Sequence, residues 1–190
     1  MLIEDVLKKT STMFKPNKNL LKFIGHQKQS GDEKTSSMAM LELPTFKRDY
    51  ADWAYVMAMV LDSMNEYFKD IFFDNDEIKG KYNQIIGGEL LNEMLYNAND
   101  WGNCNDPAKK INLGIWFGPK GILLAIRDEG SFFKNPKTKR LIESRGNIPS
   151  TRLPVGAGGD GLSEIYESAD KIFVSTSENA LYVAVLVKSD

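Results

Sequence analysis

The chain is poor in the residues that build covalent and metal frameworks. Its 190 residues hold one cysteine, Cys104, and one histidine, His26. A single thiol excludes an internal disulfide and any cysteine-built zinc site, and it fits a reducing compartment. A single imidazole leaves no multi-histidine metal site and makes a His-dependent triad hard to assemble. Net charge is slight as well: 24 Lys and Arg against 26 Asp and Glu leave −2. Nothing chain-wide therefore draws the protein toward nucleic acid or an anionic membrane. No apolar run approaches the roughly 18 residues of a bilayer-spanning helix. The first residues, Met1-Leu-Ile-Glu-Asp-Val-Leu-Lys-Lys, carry acids where a secretory signal carries bases. The expectation is a soluble, cytoplasmic chain with neither nucleic acid nor membrane as partner.

What is present is an ordinary globular balance, 42% hydrophobic and 26% charged, in a length that makes one domain with something appended. Residues 1–37 read as an N-terminal extension and linker. Ile3, Val6 and Leu7 fall at helical spacing, Pro16 breaks the run, and Leu20, Leu21, Phe23 and Ile24 follow. Residues 25–37 contain no large apolar side chain, so they read as linker or loop. The folded domain spans 38–190. A short strand from Met38 ends at Pro44, and a helix from Asp49 to about Phe73 carries Trp53, Val56, Met57, Val60, Leu61, Met64 and Phe68 at 3–4 spacing. Asn75 and Gly80 mark a break. A second helix runs from about Lys81 to Trp101 and stops at Gly102. Alternating Ile111–Phe117 and Ile122–Ile126 form a hairpin through Gly118-Pro-Lys-Gly121. Residues 131–157, with three prolines and little periodicity, read as a functional lid or insert. A glycine-rich turn then enters a helix ending near Ala169, and a hairpin of 171–177 and 181–188 closes the chain. Helices grouped against one face of a mixed, mainly antiparallel sheet make an α+β two-layer sandwich.

Four features carry chemistry. Glu93 and Asn97 stand one turn apart on the second helix; on a helical wheel Asn97 lies inside the arc of Ile86, Leu90, Leu91, Met94, Leu95 and Ala98, with Glu93 at its edge. Asn92, Tyr96 and Asn99 fall on the other side. Polar groups turned toward a packed face must find partners there, and a local structural role satisfies that demand as well as a site does. Ile126-Arg127-Asp128-Glu129-Gly130 ends an apolar strand. It is either an ordinary turn or a carboxylate fixed to accept an exocyclic amine, with Gly130 admitting a flat ring. Gly156-Ala-Gly-Gly-Asp-Gly161-Leu162 opens a helix, where bare N–H groups favour phosphate; a hinge for the lid is the alternative. The lid carries Lys134, Lys137, Lys139, Arg140, Arg145 and Arg152 against one acid, Glu143, a balance suited to enclosing polyphosphate.

Glu-x-x-x-Asn on a helix, then a hairpin, Asp-x-Gly, a lid, a glycine-rich helix start and a closing hairpin together resemble the GHKL ATP-binding superfamily of gyrase, heat-shock chaperone, histidine kinase and MutL ATPases. The resemblance covers about residues 40–188. Within the superfamily the chain is most similar to anti-sigma-factor serine kinases, through Ile126-Arg127-Asp128-Glu129-Gly130 and through Glu93, Asn97, Ala98 and Gly102 of the N-box helix. The resemblance implies ATP and Mg²⁺ as cofactors, with Glu93 as general base for phosphoryl transfer and Asn97 as Mg²⁺ ligand. It implies Asp128 and Gly130 at the adenine, and Gly158, Gly159, Gly161 and Leu162 at the phosphates. It further implies an ATP-dependent serine/threonine protein kinase or an ATPase, with a regulatory protein partner of the sigma-factor or anti-sigma-antagonist kind. A non-catalytic nucleotide-binding module, and an ATPase whose lid closure drives homodimerisation, are the alternatives.

The sequence also departs from the family pattern. The second glycine of Asp-x-Gly-x-Gly is replaced by Phe132, Asp160 sits inside the phosphate loop, and Asn179-Ala180 stand where relatives often have Gly-Thr. Trp101 occupies a position that is often small or polar in the family, and packing along the nucleotide is its expected role. His26 lies in a polar linker without a phosphoacceptor helix, Cys104 has no basic neighbour to activate it, and Met57, Met59 and Met64 read as core filler.

Overall fold

The computed structural model describes residues 14–25, 38–46, 50–71, 76–118, 120–131, 134, 142 and 159–187. The elements in chain order are α1 (Lys18–Phe23), β1 (Met38–Pro44), α2 (Tyr50–Ile71), α3 (Asp76–Ile86) and α4 (Glu89–Tyr96). A π-helical turn (Asn97–Gly102) follows α4, and then come β2 (Lys110–Gly118), β3 (Gly121–Asp128), α5 (Gly159–Ser168), β4 (Lys171–Ser175) and β5 (Ala180–Leu186). The architecture is α+β, with an open five-stranded sheet in the order β1-β2-β3-β5-β4. Among the described residues every strand pairing is antiparallel, where a mixed, mainly antiparallel sheet was expected. No described helix is long and apolar enough to cross a membrane.

Strand alternation divides the apolar side chains between two faces. Leu41, Leu43, Ile111, Leu113, Ile115, Ile122, Leu124, Ile126, Leu181 and Val183 face the main core. There they meet Val56, Met57 and Val60 of α2, Tyr82 and Ile86 of α3, Leu90, Leu91, Met94 and Leu95 of α4, and Ile165 of α5. The apolar arc read from the wheel is therefore the packed face: Ile86, Leu90, Leu91, Met94, Leu95 and Ala98 are all buried.

Two sequence expectations are corrected. The helix expected over 81–101 is divided. Gly87 and Gly88 separate α3 from α4, with Gly88 extended (φ −87°, ψ −179°) as the cap of α4, and Gly80 lies within α3 rather than at a break. A Cβ on Gly88 would stand 2.5 Å from the Gln84 carbonyl oxygen, so the corner requires glycine there. The second correction concerns the other face of the sheet. Residues 14–25, expected as part of an extension, cover it: Phe14, Leu20 and Ile24 are buried against Met40, Trp116, Leu123, Ala125, Tyr182 and Ala184. The helices consequently do not all share one face.

Phe14 packs edge-on against Trp116 and Tyr182, and burying such a ring is worth about 1.5–3 kcal/mol. Hydrogen bonds hold the segment at both ends, from the Lys15 N–H to the side-chain Glu178 Oε1 at 2.7 Å and from the Lys120 N–H to the Ile24 carbonyl at 3.0 Å. The rest of the expected extension and linker, 1–13 and 26–37 with His26, lies outside the described residues. Of the expected lid only Ser131, Lys134 and Ile142 are described. Ile142 is buried in the main core, and its carbonyl accepts a bond from the Tyr166 hydroxyl of α5.

Candidate functional site

Glu93 and Asn97 sit half-buried, one at the last turn of α4 and the other opening the π-helical turn. A turn of this kind inserts an extra residue and rotates everything after it relative to an α-helical wheel. Its signature here is the Asn103 N–H bonded to the Ala98 carbonyl at 2.8 Å. The rotation explains why Asn99, expected on the exposed side, is wholly buried. Asn99 Oδ1 accepts the Phe46 N–H at 2.9 Å, and its Nδ2 donates to Asp100 Oδ1 and Asn105 Oδ1. Asn103, also fully buried, donates through Nδ2 to Thr45 Oγ1 and to the Lys110 carbonyl, while its Oδ1 accepts the Glu129 N–H at 2.9 Å. These two amides thus bind the loop after α4 to the ends of β1, β2 and β3 at once.

Asp128 ends β3 with its side chain only 2% exposed. Oδ1 accepts the Gly130 N–H at 2.8 Å and Asn179 Nδ2 at 2.9 Å. The same Asn179 amide nitrogen reaches the carbonyls of Asp128 (2.9 Å) and Gly130 (3.2 Å), so one side chain clamps the whole turn. Oδ2 is buried without a hydrogen-bond partner. Burial pushes the Asp128 carboxyl above its ordinary value, and the opposing bonds from Asn179 and Gly130 and the charges of Lys134 and Lys109 do not cancel that effect.

The turn and the loop after α4 interlock through glycines. A Cβ on Gly102 would fall 2.3 Å from the Asp128 carboxyl carbon and from Oδ2, and one on Gly130 would fall 1.8 Å from the Gly102 carbonyl oxygen. Gly130 was expected to admit a flat ring; in the structure the direction of its missing side chain is taken by Gly102. Trp101, immediately before Gly102, is 54% exposed. Gly159 and Gly161 begin α5 together with Leu162, and α5 packs beside α4. Gly158 lies outside the described residues, as does Phe132. Helix α4 is accordingly the shared element, touching α5 directly and the end of β3 through its π-helical turn.

No protein-family model matches the chain, and no curated protein matches it.

The donor set bears directly on what the site can hold. Among the described residues there is no cluster of three or more His, Cys, Asp or Glu side chains that would hold a metal by itself, so an ion here would take most of its oxygens from a bound phosphate chain and water. Asn97 Nδ2 is buried without a partner. The Asp128 carboxylate oxygen lacks a donor and the Asn97 amide lacks an acceptor, and both are costly as they stand.

Sequence reasoning missed Asn99, Asn103 and Asn179. The signal was the density of asparagine at 97, 99, 103 and 105, excessive for a helix end with no polar work to do. Asn179 has φ 53°, a left-handed conformation that Asn tolerates better than most residues. Asn179→Ala removes the three bonds to the Asp128 turn and strains the backbone as well, so urea unfolding is expected to show a loss of about 2–3 kcal/mol. Asn179→Gly, which keeps the conformation and loses only the bonds, is expected to lose less than Asn179→Ala.

Proposed function

We propose that the chain binds ATP with Mg²⁺ between α4, the end of β3 and the start of α5, and acts as a regulatory protein kinase resembling the anti-sigma-factor serine/threonine type. The observation that carries this reading is the state of Asp128. One of its oxygens is held by the Gly130 N–H and by Asn179, while the other is buried with nothing to accept from. A carboxylate so divided would accept the exocyclic amine of adenine through Oδ2 while Oδ1 keeps the turn in place.

Asn97 would hold Mg²⁺ through its side-chain oxygen. The ion, when bound, supplies positive charge that neutralises phosphate oxygens. Gly158, Gly159 and Gly161 would offer backbone N–H groups to the phosphate chain at the start of α5, where the helix dipole favours negative charge. Leu162 follows them in the first turn of that helix. Glu93, one turn before Asn97, would take the proton from a substrate hydroxyl as its oxygen is phosphorylated. Trp101, exposed beside Gly102, would lie along the nucleotide. A regulatory protein bearing that hydroxyl, of the sigma-factor or anti-sigma-antagonist kind, is the proposed partner.

Glu93→Gln separates chemistry from binding. The variant is expected to keep ATP affinity within about twofold by calorimetry while ADP formation from ATP drops about 10²–10⁴-fold. Unchanged ADP formation would remove Glu93 from the proposed role.

A further inference from the structure

The second face of the sheet carries a cavity that the nucleotide site does not use. Its volume is about 550 Å³, and Lys15, Arg127, Phe173, Ser175, Ser177 and Glu178 line it. Small-molecule sites span about 300–1,000 Å³. Arg127 and Ser175 both pair across strands with Ala180, so the three form one row on this face with the small Ala180 in the middle. Among the described residues the Arg127 guanidinium makes no hydrogen bond or ion pair. Ser175 Oγ lies 3.3 Å from Ser177 Oγ; whichever hydroxyl donates to the other, the second keeps its proton for another acceptor. Lys15 is contributed by the segment that crosses the sheet ahead of α1. Glu178, the one acid of the lining, already has both oxygens engaged, Oε1 by the Lys15 N–H and Oε2 by the Tyr182 hydroxyl, each at 2.7 Å.

We infer that this cavity binds a small organic oxyanion, a phosphate monoester or a carboxylate on an apolar body. Arg127 is its bidentate partner, Lys15 and the serine hydroxyls are further donors, and Phe173 lies against the apolar part. Guanidinium pairs with either oxyanion through two parallel bonds. The Glu178 charge, fixed among the donors, works against a bare multivalent anion and favours an ester or carboxylate whose body contributes apolar contact. The cavity and the proposed nucleotide site lie on different faces of the sheet, because Arg127 and Asp128 project to opposite faces of β3.

The test is a two-dimensional NMR titration of the full chain with phenyl phosphate, benzoate and inorganic phosphate, each to about 10 mM, a range that captures weak millimolar binding. Saturable shifts are expected at the amides of Lys15, Arg127, Ser175 and Ser177 with at least one of the two aromatic anions, with inorganic phosphate at least about threefold weaker. The tighter of the two aromatic anions identifies the head group. Arg127→Gln is expected to weaken that binding at least about tenfold. Should that variant lose its native spectrum, Ser175→Ala with Ser177→Ala is read in its place, with at least about threefold weakening expected. The inference is overturned by no saturable shift with any probe, by preference for inorganic phosphate, or by shifts indifferent to these substitutions. Shifts confined to Glu93–Gly102 and Gly159–Gly161 would report the nucleotide site instead and would equally overturn it.

Discussion

Asp128→Asn is expected to weaken ATP at least about tenfold, or 1.4 kcal/mol, in a calorimetric titration with Mg²⁺ present. The amide retains an oxygen for the Gly130 N–H and Asn179 Nδ2, so the turn survives. It also places an NH₂ where Oδ2 stood, and that group meets the adenine amine donor to donor. The same substitution has a signature without nucleotide. The folded carboxyl holds its proton more tightly than the unfolded one, so ionising Asp128 costs stability in the folded state. As pH rises from the ordinary carboxylate value of about 3.9 through the raised folded value, wild type should lose stability relative to the Asn variant. The difference between their unfolding free energies, followed from about pH 3.5 to 7, should therefore fall with rising pH. A difference that rises with pH would mean that the folded state prefers the charged form.

Gly130→Ala is the other large effect. Its methyl would enter at 1.8 Å from the Gly102 carbonyl oxygen, a backbone atom whose own position is fixed by Asn103 and Asn99. Overpacking at a site that cannot relax costs about 1–3 kcal/mol, occasionally more, and about 3 kcal/mol by urea unfolding is expected. Gly102→Ala meets the Asp128 side chain rather than backbone. It is expected to cost less stability and to displace the carboxylate, so it should lower nucleotide affinity more than its stability loss implies. Equal and small losses for the two variants would contradict the interlock.

Periodicity made most of the fold legible. The alternation of Ile111–Phe117 and Ile122–Ile126 fixed both strands and the face each residue occupies, because a one-residue slip would turn Leu113 and Ile115 to the wrong side. Within the arc, Leu90, Leu91, Met94 and Leu95 likewise predicted the packed face of α4, while Ile86 belongs to α3 and Ala98 to the π-helical turn. Illegible were the features that depend on distant partners. Phe14, Leu20 and Ile24 are too few to announce a layer, and their burial depends on Trp116 and Tyr182, about a hundred residues away or more along the chain. The π-helical turn is set by Asn99 and Asn103 bonding to Phe46, Lys110 and Glu129, none of which a wheel contains. For the candidate site, the residue types at Glu93, Asn97 and Asp128 could be read, but not the Asn179 clamp, which joins two hairpins across 51 positions.

Amide hydrogen exchange with and without ATP and Mg²⁺ is the sharpest check on nucleotide binding between α4, β3 and α5, because it reports where the nucleotide acts as well as whether it binds. Slowed exchange is expected at Asn97–Gly102, at Asp128–Gly130 and at the first turn of α5, with Asn179 following. Exchange that ATP leaves unaltered in those segments, or slows only along β4 and the Lys15 side of the sheet, would contradict binding there.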